Sequence, residues 1–296
     1  MNEPLPKVSV LMVTYNHAPY IERAIESVCS QVTDFPVELL VGDDASSDGT
    51  ADIIRTCHSR DARIHPVLRD QNVGMMSNAS DLHDRCRGEY IAFLDGDDYW
   101  TTPDKLALQV AALDAHPEWS LCFHRVACVD ERGEVAGYEF PLNVPSPYGL
   151  RQVLFENIVP TCSIMFRKRL LSEYPAAFRR LPLGDWPLCI LLAERGVLGF
   201  LPEVMAAYRL HANSGWSAKP RWQRELATLQ MLLTMQDEVR PEHRSLVREA
   251  CEQRFREIHD CPWHLKLRRE IGARFGIEGL IKSVREFPWP WRSARP

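Results

Sequence analysis

Four apolar runs recur through the first hundred residues, and each turns polar before a segment of helical spacing begins. Lys7–Thr14 reads as a buried strand closed by Tyr15, Asn16 and His17. Pro19–Ser30 then carries Ile21, Ala24, Ile25 and Val28 on one helix face. Pro36–Val41 is a second strand, Asp43–Thr50 a loop of Asp, Ser and Gly, and Ala51–Cys57 a second helix. Ile64–Leu68 is a weaker third strand, followed after Gly74 by a helix over Met76–Arg87. Glu89–Leu94 is a fourth strand that runs straight into Asp95-Gly96-Asp97-Asp98. This alternation predicts the α/β class, a mostly parallel sheet with helices on both faces. Ligands bind such sheets outside the carboxyl ends of the strands. The polar clusters Thr14–His17, Asp43–Asp48 and Asp95–Asp98 therefore share one rim.

Further along, Lys105–His116 is a helix with Pro103 suited to its first turn, and Leu121–Val129 is a strand. Glu131–Pro160 reads as a Gly- and Pro-bearing loop region, Thr161–Arg167 as a short strand and Trp186–Arg195 as a helix closed by Gly196. Arg221–Ile258 is mainly helical, and a basic, Trp-rich tail follows. With 45% hydrophobic residues the chain can build a sizeable core. Its densest apolar stretches, Val8–Val13 and Leu188–Ala193, fall far short of the roughly 18 residues of a membrane span. The start, MNEPLPKVSVLMVTYN, has no signal-peptide pattern, so a cytoplasmic protein is expected. A net charge of −5 weighs against nucleic acid as a partner. The nine cysteines are scattered with no Cys-x-x-Cys pair, which suits reduced, buried thiols better than zinc or disulfides.

Asp95, Asp97 and Asp98 repel one another when ionised, so a functional reading needs a counter-charge. A hard divalent cation, Mn²⁺ or Mg²⁺, is the obvious one, and Gly96 lets the backbone approach a ligand closely. The plain alternative is a solvated acidic turn. In the second cluster, Asp43 and Asp44 are candidates to accept hydrogen bonds from a nucleobase or ribose. Asp48 is better assigned to capping the helix that follows. Neither Gly-x-Gly-x-x-Gly nor Gly-x-x-x-x-Gly-Lys-Ser/Thr is present, so dinucleotide and P-loop phosphate binding lack their glycines.

Taken together, VSVLMVTYNHAPYIERAIESVCSQ, LLVGDDASSDGT and GEYIAFLDGDDYW resemble the inverting family 2 glycosyltransferases of the GT-A fold. LGDWPLCILLAERG and EVMAAYRLHANSGWS are similar to the acceptor-side half of the same family and extend the match to about residue 217. The resemblance implies a Rossmann-like GT-A domain over 1–217. Its nucleotide-sugar half covers about 1–130 and its acceptor half 131–217. Residues 218–296 would form a mainly helical C-terminal extension.

Carried over by position, it places Thr14, Tyr15 and Asn16 in the nucleotide pocket. Asp44 meets the base with Asp43 beside it, and Asn72 and Gly74 lie in a loop over the nucleotide. Asp95 and Asp97 match the metal and diphosphate motif, while Asp98 stands where the family varies. His211 is a candidate third metal ligand or diphosphate contact. Ser214, Trp216 and Ser217 are candidates for a loop closing over the donor. His17 and His124 read as structural or substrate-lining.

Asp185 matches the catalytic base, with Gly184 where the family often has a companion Glu. The same Asp185 also reads as an N-cap of the helix that follows. An ordinary, unraised carboxylate pKa is expected for it.

The implied reaction is attack of an acceptor hydroxyl on the anomeric carbon of a nucleotide-activated sugar, with Asp185 taking the proton. The implied acceptor is a glycan, lipid-linked or protein hydroxyl in cell-surface glycan assembly. Three other readings compete. A magnesium phosphohydrolase would carry its motif on the first strand, and a nucleotidyltransferase would begin with a basic, Gly-rich loop. An inactive nucleotide-sugar or glycan-binding module would keep the acids without the turnover. The tail from 263 to 296 holds eight Lys/Arg against three Asp/Glu. Leu267, Ile271, Phe275, Ile281 and Val284 lie on one face there, with Phe287, Trp289 and Trp291 beyond. Peripheral contact with the inner face of a membrane is one expectation for this segment, and docking on the protein itself is the other.

Overall fold

A sheet covered on both faces accounts for the uniformly apolar strands in the computed structural model, which describes residues 5–212 and 214–259. β1 (Val8–Thr14) pairs in parallel with β2 (Val37–Asp43), β2 with β3 (Ile64–Leu68), and β1 on its other side with β4 (Tyr90–Asp95). Successive side chains point to opposite faces. Val8, Val10 and Met12 meet a core shared with α1 (Ile21–Cys29) and α2 (Thr50–Arg60), whereas Leu11 meets one shared with α3 (Met75–Arg85). The four residues expected on the face of α1 are the four that it buries.

Beyond β4 come β5 (Tyr99–Trp100), α4 (Lys105–Ala115), β6 (Trp119–Val129) and β7 (Val135–Phe140). Then follow α5 (Leu150–Phe155), β8 (Met165–Arg167), α6 (Asp185–Ala193) and β9 (Val197–Arg209). The strand order is β3-β2-β1-β4-β8-β6-β9-β5, with β7 flanking β6. β8 runs antiparallel to both β4 and β6 and so joins the parallel N-terminal half to the parallel pair β6 and β9. The longer registers are the parallel ones, so the sheet is mostly parallel as expected.

Three segments differ from the sequence reading. The region 131–160 contains β7 and α5. β7 is solvent-exposed, with Gly137 at positive φ, and shows little apolar alternation; α5 is only six residues long. Of Thr161–Arg167 only Met165–Arg167 is strand, preceded by a 3-10 turn over Thr161–Ser163. The long strand β9 was hidden by Pro202, which sits where the β6 pairing jumps from Leu201 to Val204.

The C-terminal helical segment is two helices, α7 (Arg221–Glu238) and α8 (Arg244–His259), separated by a 3-10 turn at Pro241–His243. Leu229, Leu232 and Val247 from this pair lie in one core with Leu188 and Leu192 of α6. No helix among the described residues is long and apolar enough to cross a membrane. The face proposed for the 263–296 tail lies outside the described residues.

At the opposite end of the sheet from the acidic rim, Glu38 is buried and accepts hydrogen bonds from Ser9 Oγ (2.6 Å), the Arg87 amide (2.8 Å) and Arg87 Nε (2.8 Å). Replacing it with Ala leaves a buried hydroxyl and an amide without that acceptor. Glu38→Ala should lower stability by about 2–3 kcal/mol in urea unfolding, with ligand binding at the far rim unchanged.

Candidate active site

Parallel pairing brings the strand ends together: Thr14 stands opposite Asp43 and Val13 opposite Asp95. The loops that leave them are tied to one another. Asn16, at φ 57°, takes the Ser47 amide on its side-chain oxygen (2.9 Å) and donates its own amide to Ser46 Oγ (2.8 Å). Asp43 is buried and accepts from the Ser46 amide (3.1 Å) and hydroxyl. Asp48 receives the Thr50 amide (3.1 Å) and hydroxyl (2.6 Å) at the start of α2, and also the Ala18 amide (2.9 Å). Gly49 holds the cap position of α2, so the expected capping role of Asp48 is corrected by one residue; from there Asp48 ties the first turn of α2 to the loop after β1.

Asp44 is buried, and its two oxygens accept the amides of Val73 (2.8 Å) and Gly74 (2.9 Å), with Gly74 at φ 87°. Asn72 donates to the Asp44 carbonyl (3.1 Å). The 72–74 segment is therefore seated on the end of β2. Tyr15, by contrast, is 47% exposed, and the buried Thr14 hydroxyl has no hydrogen-bond partner.

The acidic motif turns sharply where β4 ends. The Gly96 amide reaches the Val13 carbonyl (2.9 Å) and the Asp98 amide the Asp95 carbonyl (3.1 Å). A Cβ at Gly96 would lie 2.6 Å from Thr14 Oγ1, which explains the glycine. Asp97 Oδ2 lies 2.9 Å from His211 Nε2 and 3.7 Å from His17 Nε2. Asp98 is buried and accepts the Arg209 amide (2.8 Å).

Charge repulsion is evident in the acids. Burial, followed by the charges of Asp97 and Asp185, pushes Asp95 up to about 8. Burial, followed by the charges of Asp97 and Asp95, pushes Asp98 well above the usual carboxylate range. Burial also opposes ionisation of Asp97, but the His211 hydrogen bond and the two imidazoles outweigh it and hold that carboxyl below its ordinary value.

Asp185 is the first residue of α6. Gly184 occupies the cap position, so the expected N-cap role of Asp185 is corrected by one residue. Its Oδ2 lies 3.4 Å from both Asn157 Nδ2 and Thr161 Oγ1. Burial raises its pKa against the pull of the Trp186 and Asp185 amides, Thr161 and Asn157, which corrects the expectation of an unraised carboxylate. A Cβ at Gly184 would collide with the Met76 thioether, so the missing companion acid coincides with a methionine filling its space. His124 is fully buried, with Nδ1 on the Arg125 carbonyl (2.8 Å), a structural position.

Sequence reasoning missed Asn157, Thr161 and Arg209. The first two stood in a segment read as loop and strand. Arg209 lies two residues before His211 in YRLHANS, and that proximity was the available signal.

A divalent cation fits the donors present. Asp95, Asp97 and Asp98 each bring an oxygen within 4.8 Å of the others, and the imidazole of His211 adjoins Asp97. Carboxylate oxygens with one imidazole nitrogen suit Mn²⁺ or Mg²⁺.

The family model for glycosyl transferase family 2 matches residues 9–174. The chain is 34% identical over 292 residues to an uncharacterized Mycobacterium tuberculosis protein, covering 95% of this chain and 80% of that one. It is 30% identical over 225 residues to TuaG of Bacillus subtilis, named as a glycosyltransferase of teichuronic acid biosynthesis, covering 73% and 86%. Among solved structures it is similar to S. aureus TarS 1–349 in complex with UDP-GlcNAc, at TM-score 0.61 and 17% identity, covering 95% and 90%. Against full-length TarS (TM-score 0.61, 18% identity) it covers 92% of its own length and 46% of that chain. It is also similar to the mannosyltransferase PcManGT from Pyrobaculum calidifontis in complex with GDP-Man and Mn²⁺, at TM-score 0.57 and 18% identity, covering 96% and 84%.

As a metal ligand, Asp95 would have to give up the proton that its pKa of about 8 retains, so acid should weaken binding. Manganese affinity, followed by the paramagnetic resonance signal of the free ion, should rise about tenfold per pH unit from about pH 6 and level off beyond about pH 8. An affinity that stays flat between pH 6 and 7 would overturn Asp95 as a ligand that must lose a proton to bind.

Proposed function

The chain belongs to glycosyltransferase family 2, and from that premise we propose an inverting transfer of a sugar from a nucleoside-diphosphate sugar to an acceptor hydroxyl in polysaccharide assembly. One observation carries this reading. Asp95 and Asp97 at the end of β4, His211 after β9, and Asp185 at the start of α6 converge on one rim, near enough for the Asp185 charge to raise Asp95.

In this reading the donor's nucleotide lies over the ends of β1 and β2, against Thr14, Tyr15, Asn16, Asp43, Asp44, Asn72, Gly74 and Asp95. The unpartnered Thr14 hydroxyl is available to it. Asp44 retains acceptor capacity, because each carboxylate oxygen carries two lone pairs and the Val73 and Gly74 amides use one apiece. Asp97, Asp95 and His211 hold Mn²⁺ or Mg²⁺, which when bound offsets the charge that develops on the leaving diphosphate.

Asp185 takes the acceptor proton as the new bond forms. Its raised pKa strengthens it as a base, and its place at a helix N-terminus supports the ionised form. A single displacement inverts the anomeric centre. The UDP- and GDP-linked sugars bound by the structural neighbours and the teichuronic acid role in the name of TuaG support a sugar nucleotide as donor and a cell-surface glycan as product.

The test is a panel of UDP- and GDP-sugars assayed for release of nucleoside diphosphate with Mn²⁺, Mg²⁺ or chelator. Metal-dependent release from one donor is expected, and Asp97→Ala should abolish it. Asp185→Ala should lower turnover about 10²- to 10⁴-fold, the range for a general base, with donor affinity nearly unchanged. Turnover retained in Asp185→Ala would overturn the base, and no sugar-nucleotide binding with metal present would overturn the whole reading.

A further inference from the structure

The metal reading leaves Asp98 and Arg209 without a role, although both are almost completely buried beside the acids. β5 follows the acidic turn directly and pairs antiparallel with β9, Tyr99 opposite Ala207 and Trp100 opposite Ala206. Continuing that register backward sets Asp97 opposite Arg209. The two segments are joined there in both directions. Asp98 Oδ1 accepts the Arg209 amide at 2.8 Å, and Arg209 Nε donates to the Asp97 carbonyl at 2.8 Å.

The guanidinium makes further contacts. Nη1 donates to the carbonyls of Asp130 (3.0 Å) and Glu131 (2.9 Å), and the group lies 4.6 Å from the ring centre of Tyr20 and 5.5 Å from that of Tyr99. Leu210 extends the anchoring by donating its amide to the Val129 carbonyl (2.8 Å). The next residue is His211, whose Nε2 meets Asp97.

Resting on the metal reading above, we infer that Asp98 and Arg209 are positioning residues, a two-way latch that registers His211 against Asp97. Asp98 acts as a backbone acceptor and does not bind the ion, although its carboxylate lies within the acidic cluster.

The two roles for Asp98 respond differently to substitution. Asn keeps an oxygen that can accept the Arg209 amide but is a poor replacement for a metal carboxylate, whereas Ala removes the acceptor altogether. The measurement is Mn²⁺ titration of the full chain by paramagnetic resonance, alone and with UDP, alongside thermal unfolding. Asp98→Asn should stay within about fivefold of wild-type affinity, while Asp98→Ala and Arg209→Ala weaken it at least about tenfold, as expected when a partner that orients a ligand is lost. Arg209→Lys, which keeps the charge but not the fork of donors, should fall between Arg209→Ala and wild type.

Loss of Mn²⁺ binding in Asp98→Asn as severe as in Asp97→Ala would make Asp98 a ligand and overturn the latch. Wild-type affinity in Asp98→Ala and Arg209→Lys, even with a lowered melting temperature, would reduce the pair to ordinary packing and also overturn it. If Arg209→Ala does not fold, the contrast between Asn and Ala at 98 still decides. Failure of the wild type to bind Mn²⁺ with or without UDP would instead overturn the metal reading itself, and the latch with it.

Discussion

Carboxylates do not gather at 4.8 Å unless something holds them there, because each ionised group raises the cost of ionising the next. Here the backbone holds them. Asp95 ends β4 and is paired there with Val13 of β1, while the β8 ladder holds the start of the same strand, Tyr90–Ala92, on its other side. The turn that follows is pinned by the Gly96 amide on the Val13 carbonyl and packed so closely on Thr14 that no side chain fits at residue 96. Burial, reinforced by the confined charges of Asp97 and Asp185, raises the pKa of Asp95.

The imidazole that meets Asp97 has to come from far along the chain, and the topology brings it. β8 reverses direction between β4 and β6, and β9 then runs parallel to β6, so the carboxyl end of β9 arrives where β4 ended. The two-residue strand β5 pairs with β9 just after the acidic turn, which fixes how far β9 extends past it. His211 therefore reaches Asp97 across a sequence separation of 114 residues. Asp185 arrives by a different route, at the first turn of a helix whose N-terminal amides favour a carboxylate.

The first hundred residues were legible because their physics is local. Apolar runs, helix-face spacing and polar strand ends each occupy a short window, and the parallel sheet and its shared rim follow from them. The second half depends on pairings that no window contains. β8 is three residues long, and β9 is interrupted by Pro202 at a register shift, so neither carries the alternation of an ordinary strand. The same limit applies to the site. Asp95 and Asp97 stand in a motif that can be read directly, whereas Asn157, Thr161 and Arg209 take part only through tertiary neighbours. Burial of Asp185 was hidden for the same reason: its sequence neighbours describe a helix start, while its pKa is set by what packs over it.

Gly184 shows how the two halves of the site are connected. The resemblance puts a second acid at this place, next to Asp185, and a side chain there would strike the Met76 thioether. Met76 is buried in the first turn of α3, and α3 begins at Gly74, whose amide is held by Asp44 at the end of β2. An acid at 184 would have to displace the flexible end of the Met76 side chain. The charge of Asp185, the next residue, is felt at Asp95. The two halves of the site thus meet where Gly184 faces Met76, two residues after the glycine whose amide Asp44 holds.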